Sequence, residues 1–92
     1  MSFQGTWRKI DSSECDRRYP DEIEFAEATF LARKGPGQEF IVWDAGGYYV
    51  DSDDEVRIEI ATDEQVRYRF SLDDDTLTFV DSDGCEFRYR RA

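Results

Sequence analysis

Apolar and charged residues alternate strictly in the stretch Cys85-Glu86-Phe87-Arg88-Tyr89-Arg90, close to the end of the chain. Successive side chains of a β-strand point to opposite faces, so this pattern predicts a strand with one apolar and one charged face. Segments 56–60, 66–70 and 77–79 alternate in the same way. Strands that are apolar on one face only are typical of an antiparallel sheet, and they indicate an all-β fold.

The breaks between these segments carry residues that favour turns, such as Asp73-Asp74-Asp75 and Ser82-Asp83-Gly84. Toward the N-terminus, segments 6–10, 39–43 and 48–50 are further strand candidates. Both faces of segment 39–43 are apolar, which is typical of a strand that is buried on both sides or lies at the rim of a cavity.

Segment 21–34 has two interpretations. Pro20 before it and Gly35 after it are helix signals, as are its early acidic and late basic residues. Against a helix, Ile23 and Phe25 alternate with acidic residues, and the parity then shifts as it would across a β-bulge near Glu27. A bent strand is the favoured interpretation, and the helix remains the alternative.

About eight short strands joined in order by tight turns predict an up-and-down antiparallel β-barrel, because closure leaves no exposed edge strand. An open, strongly bent sheet is the alternative. The 92 residues suffice for one domain, so residues 1–92 are predicted to form a single barrel domain. Aromatic residues make up 15% of the chain and supply the large side chains that so short a chain needs for its core.

The chain carries 22 acidic and 12 basic residues, which give a formal net charge of −10. A field of that sign repels phosphate backbones and anionic bilayers, so neither nucleic acid nor a membrane is an expected partner. In one interpretation the excess of acidic residues keeps the protein in solution, and in the other it forms a surface that recognises a basic protein. No basic start followed by an apolar stretch opens the chain, so we expect no secretory signal and a cytoplasmic location.

Two stretches at the ends of the chain, Gly5-Thr6-Trp7 after Phe3 and Phe87-Arg88-Tyr89-Arg90-Arg91, resemble the calycin superfamily, which includes the lipocalins and the fatty-acid-binding proteins. The resemblance implies that Trp7 packs at one barrel end beneath an arginine of a late strand, Arg88 or Arg90, as a structural cation–π contact. It also implies an inward, ligand-holding tyrosine at Tyr89. Phe87 stands where fatty-acid-binding proteins have an arginine, so the usual partner of a ligand carboxylate is missing.

An eight-stranded barrel has room either for packed side chains or for one small ligand, and both alternatives stay open here. The side chains predicted to point inward are bulky. They are Trp7, Phe25, Tyr68, Phe70, Phe79, Phe87 and Tyr89. If a cavity exists, these residues are its predicted ligand-binding set, and the hydroxyls of Tyr68 and Tyr89 would supply polar specificity.

Catalysis is not expected, because the chain has no histidine, the commonest general base near neutral pH. Cys15 and Cys85 are too few for a zinc site. Barrel closure would bring them to the same end and allow a disulfide, but a reducing cytoplasm favours two free thiols, with Cys85 as a small core residue. Both cysteines are therefore assigned structural roles.

Two acidic stretches, Asp51-Ser52-Asp53-Asp54-Glu55 and Asp81-Ser82-Asp83-Gly84, gather oxygen atoms that could bind calcium. Neither matches the twelve-residue loop of an EF-hand. Aspartate is common in turns because its side chain bonds to the nearby backbone, and the turn is the favoured interpretation of both stretches. No metal and no cofactor are predicted.

The sequence thus predicts a non-enzymatic protein that holds a small, largely apolar ligand inside a lipocalin-like β-barrel. The alternative is an acidic protein-interaction module, such as an inhibitor, an immunity protein or a nucleic-acid mimic, which would bind a basic protein. The first function predicts a cavity lined by the inward aromatic residues. The second predicts a filled interior.

Overall fold

The computed structural model of this protein describes residues 3–10 and 14–92. Within that part of the chain, eight antiparallel strands form one sheet. They are β1 (Gly5–Lys9), β2 (Glu22–Phe25), β3 (Thr29–Arg33), β4 (Ala45–Val50), β5 (Glu55–Glu59), β6 (Gln65–Asp73), β7 (Thr76–Val80) and β8 (Glu86–Arg91). The first two residues, which entered the prediction that no secretory signal is present, lie outside the described residues.

Each strand pairs with the next one along the chain, and β8 pairs with β1, so the sheet closes into a barrel. In this closing pair, Trp7 lies opposite Arg91 and Lys9 lies opposite Tyr89. Closure removes the edge strands at which an open sheet could pair with another chain. The prediction of an all-β, up-and-down antiparallel barrel of about eight strands is confirmed.

Segment 21–34 forms the two strands β2 and β3 rather than the single bent strand that the sequence favoured, and it is not helical. A backbone hydrogen bond of 2.8 Å closes the turn between them. The parity shift near Glu27 is therefore a hairpin turn and not a β-bulge. Phe25 and Phe30 lie opposite each other across this hairpin, and both are buried.

Segment 39–43, predicted as a strand, instead belongs to the long connection between β3 and β4. Its apolar residues divide between two environments: Ile41 and Trp43 are buried, whereas Phe40 is 63% exposed. The amide of Val42 donates to the carbonyl oxygen of Arg18 at 2.7 Å, so this segment bonds to another connection and not to a strand. Burial of Ile41 and Trp43 at the end of the barrel therefore accounts for only part of its apolar character.

The strand predicted at 48–50 is longer and begins at Ala45. It includes Gly46 and Gly47, although a pair of adjacent glycines usually favours a turn. The amide of Gly47 donates to the Glu59 carboxylate at 2.7 Å, and a Cβ atom at Gly46 would lie only 3.0 Å from that carboxylate. The two glycines therefore leave space for the Glu59 side chain against the sheet.

Aromatic rings in mutual contact fill the interior of the barrel. The ring of Phe87 stacks on that of Tyr19, with centroids 3.7 Å apart, and on that of Phe79 at 5.4 Å. Trp43 meets Phe87 edge-on at 5.5 Å. Phe79, Phe87 and Trp43 have no exposed surface. Such ring pairs stabilise the fold by about 0.5–1.5 kcal/mol each beyond the burial of their area.

The two ends of the barrel carry different connections, and we name them accordingly. The closed end carries the connections β1–β2, β3–β4, β5–β6 and β7–β8, and a 3₁₀ helix, Cys15–Arg18, lies in the first of these. The mouth carries residues 3–4 before β1 and the turns β2–β3, β4–β5 and β6–β7. Among the described residues, no helix has the length and apolar character that crossing a bilayer requires.

A disulfide between Cys15 and Cys85 fastens the 3₁₀ helix to the β7–β8 connection, with the two Cα atoms 6.0 Å apart. The expectation of two free thiols is therefore wrong. Pairing of β8 with β1 is the physical reason, because it brings two residues separated by 70 positions to the same barrel end. Cys85 is buried, as the sequence predicted.

Truncation of a core ring tests whether the aromatic packing sets the stability. We expect Phe87→Ala to lower the free energy of unfolding by about 3–5 kcal/mol, because it leaves a cavity among rings that cannot close around it. Phe40→Ala is the matched control on an exposed ring, and its effect should stay within about 0.5 kcal/mol. Urea unfolding followed by tryptophan fluorescence measures both, and similar losses in the two variants would contradict a ring-filled core.

Removal of the disulfide tests its contribution to the closed end. The double variant Cys15→Ser/Cys85→Ser should lose about 4 kcal/mol of unfolding free energy, because the unfolded chain regains the freedom of a long loop. Reduced wild-type protein should show the same loss, and reductant should leave the double variant unchanged. Thermal or urea unfolding with and without dithiothreitol gives the comparison; a wild-type protein indifferent to reductant would argue against the bond.

Candidate functional site

A pocket opens at the mouth of the barrel with a volume of about 580 Å³. Apolar side chains form its floor and inner wall, and polar side chains form its rim. The lining residues are Phe3, Gln4, Glu27, Tyr48, Val50, Ser52, Asp53, Phe70 and Leu72. The pocket is thus built by the N-terminal segment, the β2–β3 and β4–β5 turns, and the inward positions of β4 and β6.

Strand length explains why the pocket lies here. β6 has nine residues and β5 only five, so residues 70–73 of β6 run past the end of β5 and, among the strands, pair only with β7, which extends the wall at the mouth. Phe70 and Leu72 alternate along that extension with outward-facing residues, as Tyr48 and Val50 alternate on β4. The extended wall therefore presents apolar side chains above the filled core.

Phe3 separates the pocket from the core. Its ring contacts Phe70 edge-on at 4.7 Å, Phe25 at 5.4 Å and Tyr48 at 5.9 Å, the last in a nearly parallel stack. The indole Nε1 of Trp7 donates to the carbonyl oxygen of Phe3 at 2.7 Å, which fixes the backbone that carries this ring. Phe3 is only 5% exposed and forms a rigid part of the floor.

Tyr48 contributes an aromatic face rather than a free hydroxyl. Its hydroxyl donates to the carbonyl oxygen of Ala26 at 2.6 Å. Burial raises the pKa of Tyr48, and the negative charge of Glu27 raises it further. The hydroxyl therefore stays protonated at neutral pH, and the Glu27 carboxylate lies within electrostatic reach of the pocket floor.

Arg91 covers Trp7 next to the mouth, in place of the Arg88 or Arg90 that the resemblance implied. The Arg91 guanidinium lies 4.3 Å from the centroid of the indole. Partners across a strand pair share a face of the sheet, and Trp7 is opposite Arg91, whereas Arg88 and Arg90 lie on the exposed outer face. Register therefore decides which arginine stacks on the indole.

The backbone of Gly5 shows why a glycine stands two residues before Trp7. It adopts a backbone φ of +123°, and a Cβ atom there would lie 2.9 Å from the Arg91 guanidinium. Glycine thus leaves the space in which Arg91 covers Trp7. The guanidinium also donates to the carbonyl oxygen of Gln4 at 2.7 Å, which holds the N-terminal segment at the mouth.

The predicted ligand-binding set divides between the core and the pocket. Phe70 alone of that set lines the pocket. The others pack in the interior: Trp7, Phe25, Tyr68, Phe79, Phe87 and Tyr89. The hydroxyls of Tyr68 and Tyr89, proposed from the sequence as polar anchors, bond within the protein. The Tyr68 hydroxyl accepts from Trp43 Nε1 at 3.1 Å, and the Tyr89 hydroxyl donates to the carbonyl oxygen of Pro20 at 2.7 Å.

Sequence reasoning missed the other lining residues. Tyr48 and Val50 stood in a predicted strand, and their alternation with Tyr49 could have placed them inward. The mouth position of Phe3 had no comparable signal, because the residue precedes the first strand and its neighbours are distant in sequence.

Lys9 is a buried cation at the closed end, with a side chain only 6% exposed. Its ammonium donates to the carbonyl oxygens of Asp16 and Tyr19, each at 2.8 Å, and lies 3.4 Å from the Asp21 carboxylate. These contacts fasten the β1–β2 connection over the barrel. They make Lys9 a structural residue.

The Asp81 carboxylate joins the connections of the closed end. Its Oδ2 accepts from the Arg18 guanidinium at 2.8 Å and from the Tyr19 hydroxyl at 2.7 Å. Its Oδ1 accepts from the backbone amides of Asp83 at 2.9 Å and Cys85 at 2.8 Å. Burial alone would raise the pKa of Asp81, but hydrogen bonds to the ionised carboxylate outweigh it, and the pKa is lowered.

One aspartate of each acidic stretch therefore has a structural role. Asp81 holds the β7–β8 connection, and Asp51 lies 2.9 Å from Arg57 and 3.8 Å from Arg67, two arginines that face each other across β5 and β6. Asp51 thus relieves a repulsion between like charges on neighbouring strands. Across residues 3–10 and 14–92, no three side chains of the metal-binding types converge.

Comparison with known proteins adds no family assignment. No family model matches the chain, and no curated protein is significantly similar to it.

The Asp81 contacts predict a loss of stability that depends on pH. We expect Asp81→Asn to lower the unfolding free energy by about 1.5–3 kcal/mol at pH 7, because hydrogen bonds to a charged acceptor are lost. The folded-state pKa of Asp81 lies below its ordinary value of 3.8. As the pH falls, the unfolded state takes up the proton first, so the contribution is complete above about pH 4–5 and disappears through the folded-state pKa.

The measurement is urea unfolding of wild type and variant at pH 7, 5 and 3. The difference between them should shrink at the lowest pH. Asp83→Asn is the matched control, because its carboxylate lies 3.5 Å from Arg18 but is 77% exposed. A difference that is constant over the whole pH range, or equal losses in both variants, would count against the role given to Asp81.

Proposed function

We propose that this protein is a non-enzymatic binding protein of lipocalin-like architecture, and that it holds a small, largely apolar ligand in the pocket at the mouth. The observation that carries the proposal is the pocket of about 580 Å³ over the rings of Phe3, Tyr48 and Phe70. Small-molecule sites typically have volumes of about 300–1,000 Å³ and are lined mainly by apolar and aromatic side chains with a few polar groups.

Rigidity of the floor supports this function. Phe3 is fixed by the Trp7 hydrogen bond and by its ring contacts, and Tyr48 by the bond of its hydroxyl to Ala26. A preformed site loses little conformational freedom on binding, so more of the contact energy appears as affinity. The site differs from the one expected from the sequence, because the ligand rests above the core rather than within it.

The absence of a catalytic role is part of the proposal. The chain has no histidine. The Tyr48 hydroxyl, the nearest candidate acid at the pocket, bonds to the backbone and has a raised pKa. Glu27 and Asp53 could act as general bases. The hydroxyl of Ser52 donates to the Asp54 carboxylate at 3.0 Å, but this pair is exposed in a turn and lacks the histidine that usually activates a serine. Binding without reaction accounts for this set of groups.

Membership of the calycin superfamily is also a proposal. Gly5, Trp7 and Arg91 form the stacked arrangement that the resemblance implied, with Arg91 in the role assigned to Arg88 or Arg90. The closed barrel of eight strands supports the same relationship.

The disulfide is relevant to the cellular compartment in which the protein is located. Disulfides persist in oxidising compartments and are rare in a reducing cytoplasm. The bond between Cys15 and Cys85 therefore supports an oxidising location over the cytoplasm that the sequence favoured.

An acidic protein-interaction module is the second candidate, and the ring-filled interior is the observation that favours it. Its surface would be the acidic turns, such as 51–54 and 73–75, and its partner a basic protein. The two candidate functions differ in the role of the mouth pocket, because an interaction module would not bind a small molecule there.

Occlusion of the pocket tests the first function. Val50 lines the pocket and is 54% exposed, so Val50→Trp should fill the pocket without disturbing the core. Leu31→Trp is the matched control, because Leu31 is 44% exposed on the outer face of β3. With Nile red, a neutral apolar dye, we expect wild type and the control to bind equally and Val50→Trp to bind at least about tenfold more weakly.

A fluorescence titration with the dye gives the affinities. No binding to the wild type would favour the interaction module. Equal binding by wild type and Val50→Trp would place the dye elsewhere and remove the support for the mouth site.

A further inference from the structure

We propose that the mouth pocket selects ligands that carry a positively charged organic ammonium group on their apolar body. This proposal rests on the proposed function, since it specifies the ligand class of the same site. Two independent features of the pocket lead to it: the aromatic faces of its floor and the carboxylates of its rim.

Three aromatic rings line the floor, of which Phe70 is partly exposed and Phe3 and Tyr48 are nearly buried. Phe3 and Tyr48 stack nearly parallel, with an interplanar angle of 13°, and Phe70 stands perpendicular to Phe3 at 90°. A cation within about 6 Å of a ring centroid is attracted by the negative face of the ring, and clustered aromatic faces are a recurrent binding mode for substituted ammonium groups. An ammonium group is more weakly hydrated when its hydrogens are replaced by alkyl groups, so such ligands lose less hydration on entering the pocket.

The rim adds negative charge. Glu27 from the β2–β3 turn and Asp53 from the β4–β5 turn line the pocket, and no lysine or arginine does so. Among the described residues, neither carboxylate forms an ion pair. Opposite charges attract more strongly beside a partly buried apolar floor than in bulk water, so the rim favours a cation over a neutral group of the same shape.

Arg91 and Arg57, which lie on strands that lead to the mouth, have other partners. Arg91 stacks on Trp7, donates to Gln4 and lies 3.7 Å from Asp75. Arg57 pairs with Asp51 on the outer face of the barrel. The carboxylates of the rim are therefore not neutralised by these arginines, and an anionic ligand would place its charge beside like charges.

Three probes of nearly equal shape separate the charge preference from simple apolar binding. They are benzyltrimethylammonium, its neutral carbon isostere neopentylbenzene, and anionic benzylsulfonate. Each is titrated into the ¹⁵N-labelled protein in the same co-solvent at low and high salt, and the amide shifts of the mouth residues are followed. Glu27→Gln/Asp53→Asn removes the rim charges, and Glu39→Gln/Glu64→Gln removes the same number of charges from exposed positions at the closed end.

We expect the cation to bind the wild type about five- to tenfold more tightly than the neutral isostere, and the anion to bind most weakly. In Glu27→Gln/Asp53→Asn the preference should fall to within about twofold with neutral binding unchanged, whereas the closed-end variant should keep it. High salt should weaken binding of the cation and not of the neutral probe.

Equal affinities for the cation and its neutral isostere in the wild type would overturn the charge preference and leave the apolar binding function standing. A preference of undiminished size in Glu27→Gln/Asp53→Asn would overturn it as well, because the rim carboxylates would then contribute nothing to it. If none of the three probes moves the mouth amides, both the ligand class and the proposed binding function are wrong.

Discussion

Hydrogen-bonded pairing of β1 with β8 is the contact on which the other features of this barrel depend. It sets Trp7 opposite Arg91, so that the guanidinium can cover the indole. It also brings the start of β8 to the end of β1, where Cys15 and Cys85 can join. Both links connect residues from opposite ends of the chain. Without the closing pair, neither stack nor disulfide would be within reach, and the sheet would expose two edges.

The two barrel ends differ in how their polar groups are bonded. At the closed end, polar groups bond to one another across connections that are far apart in sequence, with the Asp81 carboxylate and the Lys9 ammonium at the centres. At the mouth, the ring of Phe3 lies over the core and leaves a pocket above it. The charged groups at the closed end are hydrogen-bonded within the protein, whereas the rim carboxylates of Glu27 and Asp53 are exposed to solvent.

A ring-filled interior constrains where this protein could bind a small molecule. Barrels with eight strands have little spare volume, and here Trp43, Phe79 and Phe87 occupy it. Any ligand must therefore rest at an end. The closed end carries the 3₁₀ helix, the disulfide and a cleft lined largely by charged residues such as Lys9, Arg17 and Arg18, whereas the pocket over aromatic rings lies at the mouth. The same packing that stabilises a chain of 92 residues thus moves the candidate site from the centre to the rim.

Local pattern was sufficient for the strands of the second half. The alternation in 56–60, 66–70, 77–79 and 85–90 predicted β5 to β8 and the inward direction of their rings, because a one-sided strand leaves a period of two in its sequence. The pattern failed where apolar residues are buried without a strand. Segment 39–43 resembles a strand with two apolar faces because Ile41 and Trp43 are buried in a connection. Burial by itself does not imply that a segment pairs with a neighbouring strand.

The amino-acid sequence alone determined the all-β class, closure into a barrel, the bulky inward rings and the net charge of −10. Only the tertiary structure decided that Arg91, rather than Arg88 or Arg90, stacks on Trp7. It also decided that Cys15 bonds to Cys85 and that Phe3 forms the floor of a pocket at the mouth. Each of these depends on which residues face each other across the sheet. Side-chain period is a local property of the chain, whereas register is set only when distant strands pair.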